Sequence, residues 1–235
     1  MQQTMTGIAG WQKNSFIDYP GTVSTVLFFG GCNLRCPYCH NPDIVFAPPV
    51  PCICWEEIDF FLQRRTGIIE GVVLTGGEPT LHARLKEIVD SIRLYGYKVK
   101  LDTNGLLPER IAAVNPDYLA VDIKTIPELY VSEFGAPYGD VEQRLRRSLA
   151  HVKKLGSSAE VRITCVPGLM DAERINSLGP LLSGVEHVLL QNFRPRERLL
   201  DQSYAGIRPF GKEEMNSFRI LLSEYATRCE IRGDA

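Results

Sequence analysis

The sequence has no apolar run near the ~18 residues that a membrane-spanning helix needs. It also lacks a basic start followed by an apolar core. The opening MQQTMTGIAGWQKNSF is mixed and polar, so no secretory signal is expected. Net charge is nearly absent, at −2, which argues against general nucleic-acid binding and against an anionic membrane partner. Internal repeats and low-complexity tracts are missing. A cytoplasmic location is therefore expected, and thiols stay reduced there. The seven cysteines then read as metal ligands, catalytic groups or packing rather than a disulfide framework.

What is present is a regular alternation. Hydrophobic residues make up 44% and charged residues 23%, ordinary values for a globular protein, and 235 residues fit one domain over 1–235. Short Val-, Ile- and Thr-rich runs predict strands at 22–29, 71–75, 98–103, 118–124, 159–166 and 186–193. Apolar residues at helical spacing predict helices over 55–65, 81–96, 108–114, 140–156, 171–182 and 212–227. The helix over 171–182 is expected to break near Gly179-Pro180. Residues 47–54 read as a Pro-rich connection and 205–211 as a surface loop. Six strand-then-helix units predict an α/β fold with a parallel sheet and outer helices. Six are too few for a closed eightfold barrel, so a partial barrel or an open sheet both fit.

Active sites of parallel α/β folds lie beyond the carboxyl ends of the strands. The unusual residues of this sequence collect there. The expected strands run into FFGGC, TGGEP (75–79), LDTNG (101–105), VDIK (121–124), VPG (166–168) and QNFRP (191–195). Packing alone does not explain polar or Gly-rich punctuation at every strand end. One large site on one face does.

The first of these ends leads into CNLRCPYCHNP, with Cys32, Cys36 and Cys39 in the pattern C-x3-C-x2-C. Three thiolates with His40 form a known structural zinc set, although one short loop is a cramped place for it. Alternatively, three thiolates hold a 4Fe–4S cluster and leave one iron without a protein ligand, open to substrate or cofactor. The bland reading is three unligated loop cysteines.

C-x3-C-x2-C after a first strand resembles the radical S-adenosylmethionine (SAM) superfamily, and TGGEP, LDTNG and VDIK strengthen the resemblance. The longer stretch 10–42, with GVVLTGGEPTL, LDTNG, VDIK and QNFRP, is similar to the activating proteins of anaerobic ribonucleoside-triphosphate reductases. These are a branch of the glycyl-radical-enzyme activases, and pyruvate formate-lyase activating enzymes share much of the pattern. The resemblance implies a partial (β/α)6 barrel of the radical SAM type. It implies one 4Fe–4S cluster on Cys32, Cys36 and Cys39, with SAM chelating the open iron. It also implies reductive cleavage of SAM and hydrogen abstraction from a partner's glycine. The partner would be a glycyl radical enzyme, foremost anaerobic ribonucleotide reductase, and flavodoxin or ferredoxin would supply electrons. A radical SAM enzyme acting on a small molecule is the alternative within the same cofactor chemistry. A zinc-stabilised or redox-sensing binding protein is the alternative outside it.

Residue roles follow from the resemblance, each beside a plainer reading. Tyr38 stands where an aromatic residue nears the SAM adenine; otherwise it packs the loop. His40 borders SAM or the cluster; otherwise it is a hydrogen-bonded loop histidine. Gly76 and Gly77 let the backbone approach a ligand, Glu78 accepts from the SAM ammonium, and Pro79 fixes the turn. Asp102, with Thr103, and Asp122 bind a ribose hydroxyl or line a monovalent-cation site, unless they are ion-paired. Lys124 shares a strand face with Asp122 and pairs with it in the plain reading. Arg162 suits a carboxylate or the substrate chain. Asn104 borders the same rim or merely forms a turn. Cys52 and Cys54 are too few for a second cluster, and Cys165 and Cys229 default to packing.

Overall fold

The computed structural model describes residues 7–46 and 52–232. Residues 47–51 of the expected Pro-rich connection lie outside the described residues. The chain divides into two compact units. Met1–Asn33, Asp43–Thr103 and Glu109–Tyr118 form the first; Leu34–Pro42, Asn104–Pro108 and Leu119–Ala235 form the second.

The first unit begins with β1 (Ile8–Ser15) antiparallel to β2 (Ser24–Phe29). The sequence did not announce β1. Its register slips between Ile8 and Gly10 and between Gln12 and Ser15, and such bulges erase the period-two pattern that marks a strand. After β2 come a short α1 (Pro42–Val45), α2 (Trp55–Arg65), β3 (Gly71–Gly76), α3 (Leu85–Leu94), β4 (Lys98–Thr103) and α4 (Pro108–Val114). β3 runs parallel to β2 and β4 parallel to β3. Val72, Val73 and Leu74 are fully buried, as continuous apolar strands between helices require. α3 buries Leu85, Ile88, Val89 and Ile92 along one stripe, and each such side chain contributes about 2 kcal/mol. It starts at Leu85 rather than at residue 81, because Pro79–Leu81 forms a separate 3-10 turn capped by Glu78. Gly96, at φ +81°, ends it as expected.

The second unit carries β5 (Tyr118–Ile123), α5 (Tyr130–Phe134), α6 (Val141–Leu155), β6 (Ala159–Cys165), α7 (Ala172–Leu182), β7 (His187–Asn192), α8 (Lys212–Ser223) and β8 (Arg228–Arg232). β5 to β8 pair in sequence order, all parallel. The register sets Asp122 beside Arg162 and Thr164 beside Gln191 on one face. The other face, with Val121, Ile123, Val161, Ile163, Val188 and Leu190, is fully buried. β8 was not expected; RCEIR is short and mostly charged. The expected break in α7 does not occur, and Pro180 sits inside a continuous helix. It falls in the last turn, where the carbonyl it leaves without a helical donor belongs to Asn176, an exposed residue. Gly179 has a packing reason: a Cβ there would come within 2.2 Å of the Tyr225 ring.

Candidate active site

In the first unit the end of β3 is pressed against the chain that follows β2. Gly77 N donates to Phe29 O at 2.8 Å and Glu78 N donates to Gly31 O at 2.8 Å. A Cβ on Gly76 would lie 2.5 Å from the backbone N and O of Phe29, and one on Gly77 would lie 2.2 Å from Gly31 O. Gly76 also holds φ +116°, a conformation open to glycine. The glycines therefore make room for the protein's own backbone, one residue before Cys32. Gly31 N and Cys32 N donate in turn to Ile44 O and Val45 O, at 2.6 and 2.8 Å. This short stretch is tied on both sides.

Glu78 is buried. Its Oε1 accepts from Thr80 N at 3.1 Å, Thr80 Oγ1 at 2.5 Å and Thr103 Oγ1 at 2.7 Å. That oxygen clamps the 3-10 turn to the end of β4. Pro79 opens the turn and is buried. Asp102 is paired with buried Lys100, two residues earlier on the same face of β4. The Lys100 ammonium also lies 5.8 Å from the centre of the Tyr118 ring.

In the second unit Asp122 receives Arg162 through two bonds, Nε at 2.7 Å and Nη2 at 3.2 Å, and Lys124 Nζ at 3.3 Å. Burial alone would raise the Asp122 carboxyl, but the two cations hold it well below the usual carboxylate range. Burial alone would lower the Lys124 ammonium. The charges of Asp122 and Cys36 outweigh burial and leave it above its ordinary value. Cys36 thus lies within electrostatic reach of Lys124. It also raises the Tyr38 and Tyr130 phenols, which burial has already pushed up. Arg162 is shared with Glu160 at 3.9 Å.

Tyr38 is buried, edge-on to Phe134 and Phe193 at centroid distances of 6.2 and 6.4 Å, and its hydroxyl has no hydrogen-bond partner among the described residues. Cys39 N donates to Cys36 O at 3.0 Å, closing a tight turn around Tyr38. His40 is exposed, with Nε2 3.1 Å from Arg194 O. Partial burial, with Arg196 nearby, keeps the His40 imidazole less basic than usual despite that carbonyl. Asn104 forms the turn its chemistry suggested: Oδ1 accepts from Leu106 N at 3.1 Å.

Sequence reasoning missed Tyr130. It is fully buried, and its hydroxyl accepts from Lys124 N at 2.8 Å, fixing the end of β5. Its apolar neighbours made it look like core. Cys165 and Cys229 pack, as expected. Burial pushes their thiols up to about 12 and about 11, so they are thiols rather than thiolate ligands.

The donor set fits an iron–sulfur cluster. Cys32, Cys36 and Cys39 are half-buried, outside disulfides, and lie on chain without helix or strand. Among the described residues, no three His, Cys, Asp or Glu side chains are grouped as ligands of a single metal ion. Parallel strands with polar or Gly-rich carboxyl ends, and three cysteines on irregular backbone, define an α/β protein with a thiolate-rich segment.

The model of the radical SAM superfamily matches residues 26–179, and the chain belongs to that superfamily. Its α/β fold is that family's partial-barrel type, and it is a radical SAM enzyme, a family that uses a 4Fe–4S cluster and SAM. It is 32% identical over 240 residues to a protein of Methanocaldococcus jannaschii provisionally named a glycyl-radical enzyme activating enzyme, covering 96% of this chain and 95% of that one. A 7-carboxy-7-deazaguanine synthase of Methanopyrus kandleri is 28% identical over 72% of this chain and 71% of its own. The pyruvate formate-lyase-activating enzyme of Clostridium pasteurianum is 27% identical over 91% and 95%. In fold, the chain is similar to TYW1 with a lysine-pyruvate adduct bound, at a TM-score of 0.63 and 16% identity, covering 86% of this chain and 74% of that one.

Proposed function

We propose that this protein activates a glycyl radical enzyme, and that anaerobic ribonucleotide reductase is its partner. The observation that carries the activase reading is the 32% identity with an activating enzyme over almost the whole of both chains. The stretch 10–42, with its resemblance to activators of anaerobic ribonucleotide reductase, supports the finer choice of partner over pyruvate formate-lyase.

In this reading Cys32, Cys36 and Cys39 hold the cluster, which supplies one electron for the cleavage of SAM. Glu78, whose Oε1 clamps the 3-10 turn to β4 by accepting from Thr80 and Thr103, is the carboxylate offered to the SAM ammonium. Asp102 and Asp122 are stabilised by Lys100 and by Arg162 with Lys124, so the ion-pair reading is preferred to a monovalent-cation site. Lys124, within electrostatic reach of Cys36, offsets the negative charge of the thiolate loop. Tyr38 supplies an aromatic edge next to the cluster cysteines.

The test is anaerobic reconstitution with iron and sulfide, reduction, and EPR with and without SAM, followed by mixing with candidate partners. A cluster signal that changes with SAM and a glycyl radical on anaerobic ribonucleotide reductase support the proposal. A radical on pyruvate formate-lyase alone would move the partner. The similarity to a deazaguanine synthase favours a second reading, a small-molecule radical SAM enzyme. Formation of 7-carboxy-7-deazaguanine without any glycyl radical would establish it.

A further inference from the structure

One arginine of the first unit is spread over the backbone that follows Glu78. Arg110 stands in the first turn of α4. Its Nε donates to Thr80 O at 3.1 Å, and its Nη2 donates to His82 O and, at 3.1 Å, to Ala83 O. Thr80 belongs to the 3-10 turn and His82 closes it. Thr80 is also the residue whose N–H and hydroxyl both bond Glu78 Oε1. Arg110 thus holds, by its carbonyl, the residue that holds the carboxylate by its donors. The turn is pinned elsewhere by the His82 ring. That ring lies 5.4 Å from the centre of Phe29 and so close to Gly7 that a Cβ there would come within 2.5 Å of it.

Helix α4 itself gains nothing from this arginine, because a cation in the first turn faces the positive end of the helix dipole. Among the described residues no acidic side chain pairs with Arg110, so its charge is directed at carbonyls. A planar guanidinium reaches three of them at once, which the point charge of a lysine does not.

We propose that Arg110 is a positioning residue for SAM, fixing the 3-10 turn so that Glu78 presents its carboxylate in one orientation. The inference rests on the reading of Glu78 as the partner of the SAM ammonium. A carboxylate already oriented when its ligand arrives has little freedom left to lose on binding. Without Arg110 three carbonyls lose a charged donor, the turn opens more often, and Thr80 releases Glu78. Of the two threonines, only Thr103 would still hold it.

The test compares Arg110→Met with Arg93→Met. Arg93 is a matched control in the same unit: it too is spread over backbone carbonyls, those of Val114 at 3.0 Å and Asn115 at 2.5 Å, on the far side of α4 from the turn's own bonds. SAM is titrated into the reduced, cluster-loaded proteins and followed by EPR. Arg110→Met should bind SAM about tenfold more weakly, the equivalent of one hydrogen bond to a charged group, with Arg110→Lys between it and wild type. In the SAM-free protein, the amides of Glu78, Thr80 and His82 should exchange hydrogen faster in Arg110→Met. Arg93→Met should lose thermal stability but keep wild-type SAM affinity and wild-type exchange at those amides. If Arg110→Met does not fold, the same comparison is read from Arg110→Lys. Unchanged or tighter SAM binding in the Arg110 variants would overturn the proposal. So would an equal loss in Arg93→Met, which would make the effect one of general stability. Glu78→Gln separates the two readings: wild-type SAM affinity there would remove Glu78 as the partner of the ammonium, whatever the Arg110 variants do.

Discussion

Gly77→Ala isolates the closest backbone approach near Cys32. The added methyl would sit 2.2 Å from Gly31 O, about 1 Å inside ordinary contact, and backbone cannot step aside as a flexible side chain can. Opening the gap stretches the Gly77–Phe29 and Glu78–Gly31 hydrogen bonds, each 2.8 Å in the native chain. Two lost bonds cost about 2 kcal/mol together, overpacking about 2 more, and the stiffer unfolded chain returns roughly 0.7. The net destabilisation is about 3 kcal/mol, which for a chain of this size lowers the melting temperature by roughly 6–12 °C. Gly21→Ala is the control. Gly21 also has a positive φ, +65°, but open space around it, so it costs only about 1–2 kcal/mol of left-handed strain. Thermal and urea unfolding of both variants, with iron content after anaerobic reconstitution, give the comparison. If Gly77→Ala unfolds no earlier than Gly21→Ala, the close approach is not what demands glycine, and the reasoning fails.

Other outcomes follow from single side chains. Tyr38→Phe should be as stable as the wild type or slightly more so in urea unfolding, because the buried hydroxyl has no partner among the described residues; a loss above about 1 kcal/mol would reveal one. Thr103→Val should cost about 1.5–3 kcal/mol, the value of a bond to a buried carboxylate, and Thr103→Ser should restore most of it. Asp122 has a folded pKa below its unfolded value, so its stabilisation is complete above the unfolded carboxyl range and fades as pH falls below about 4. The stability gap between wild type and Asp122→Asn should therefore be flat from pH 8 to 5 and shrink in acid; a gap that grows in acid has the wrong sign. Alanine at Cys32, Cys36 or Cys39 should abolish bound iron and sulfide, while Cys165→Ala should keep both and lose only packing stability. Full iron in any of the first three would remove that cysteine from the ligand set.

The cysteine spacing was legible because a ligand set is a local pattern of residue types. The inner strands were legible because burial on both faces writes a continuous apolar run, as in Val72–Leu74. The edges were not. β1 carries bulges and β8 is mostly charged, so neither shows a clean period. α7 kept its helix through Pro180 because the missing hydrogen bond falls in the last turn, a cost that spacing alone does not reveal.

The sequence by itself determined the alternation of strands and helices, the three thiolates and the glycine-rich turn, since each is written within a few neighbouring residues. Only the tertiary structure decided what those residues face. It gave Glu78 to Thr80 and Thr103, Asp122 to Arg162 and Lys124, and the space beside Gly77 to Gly31 O. Glu78 with Thr103, Asp122 with Arg162 and Gly77 with Gly31 join residues from different strands and loops, whereas Glu78–Thr80 and Asp122–Lys124 are neighbours in sequence. A carboxylate's partner, and so its charge state and its role, is set by distance in space, which the order of residues along the chain does not encode.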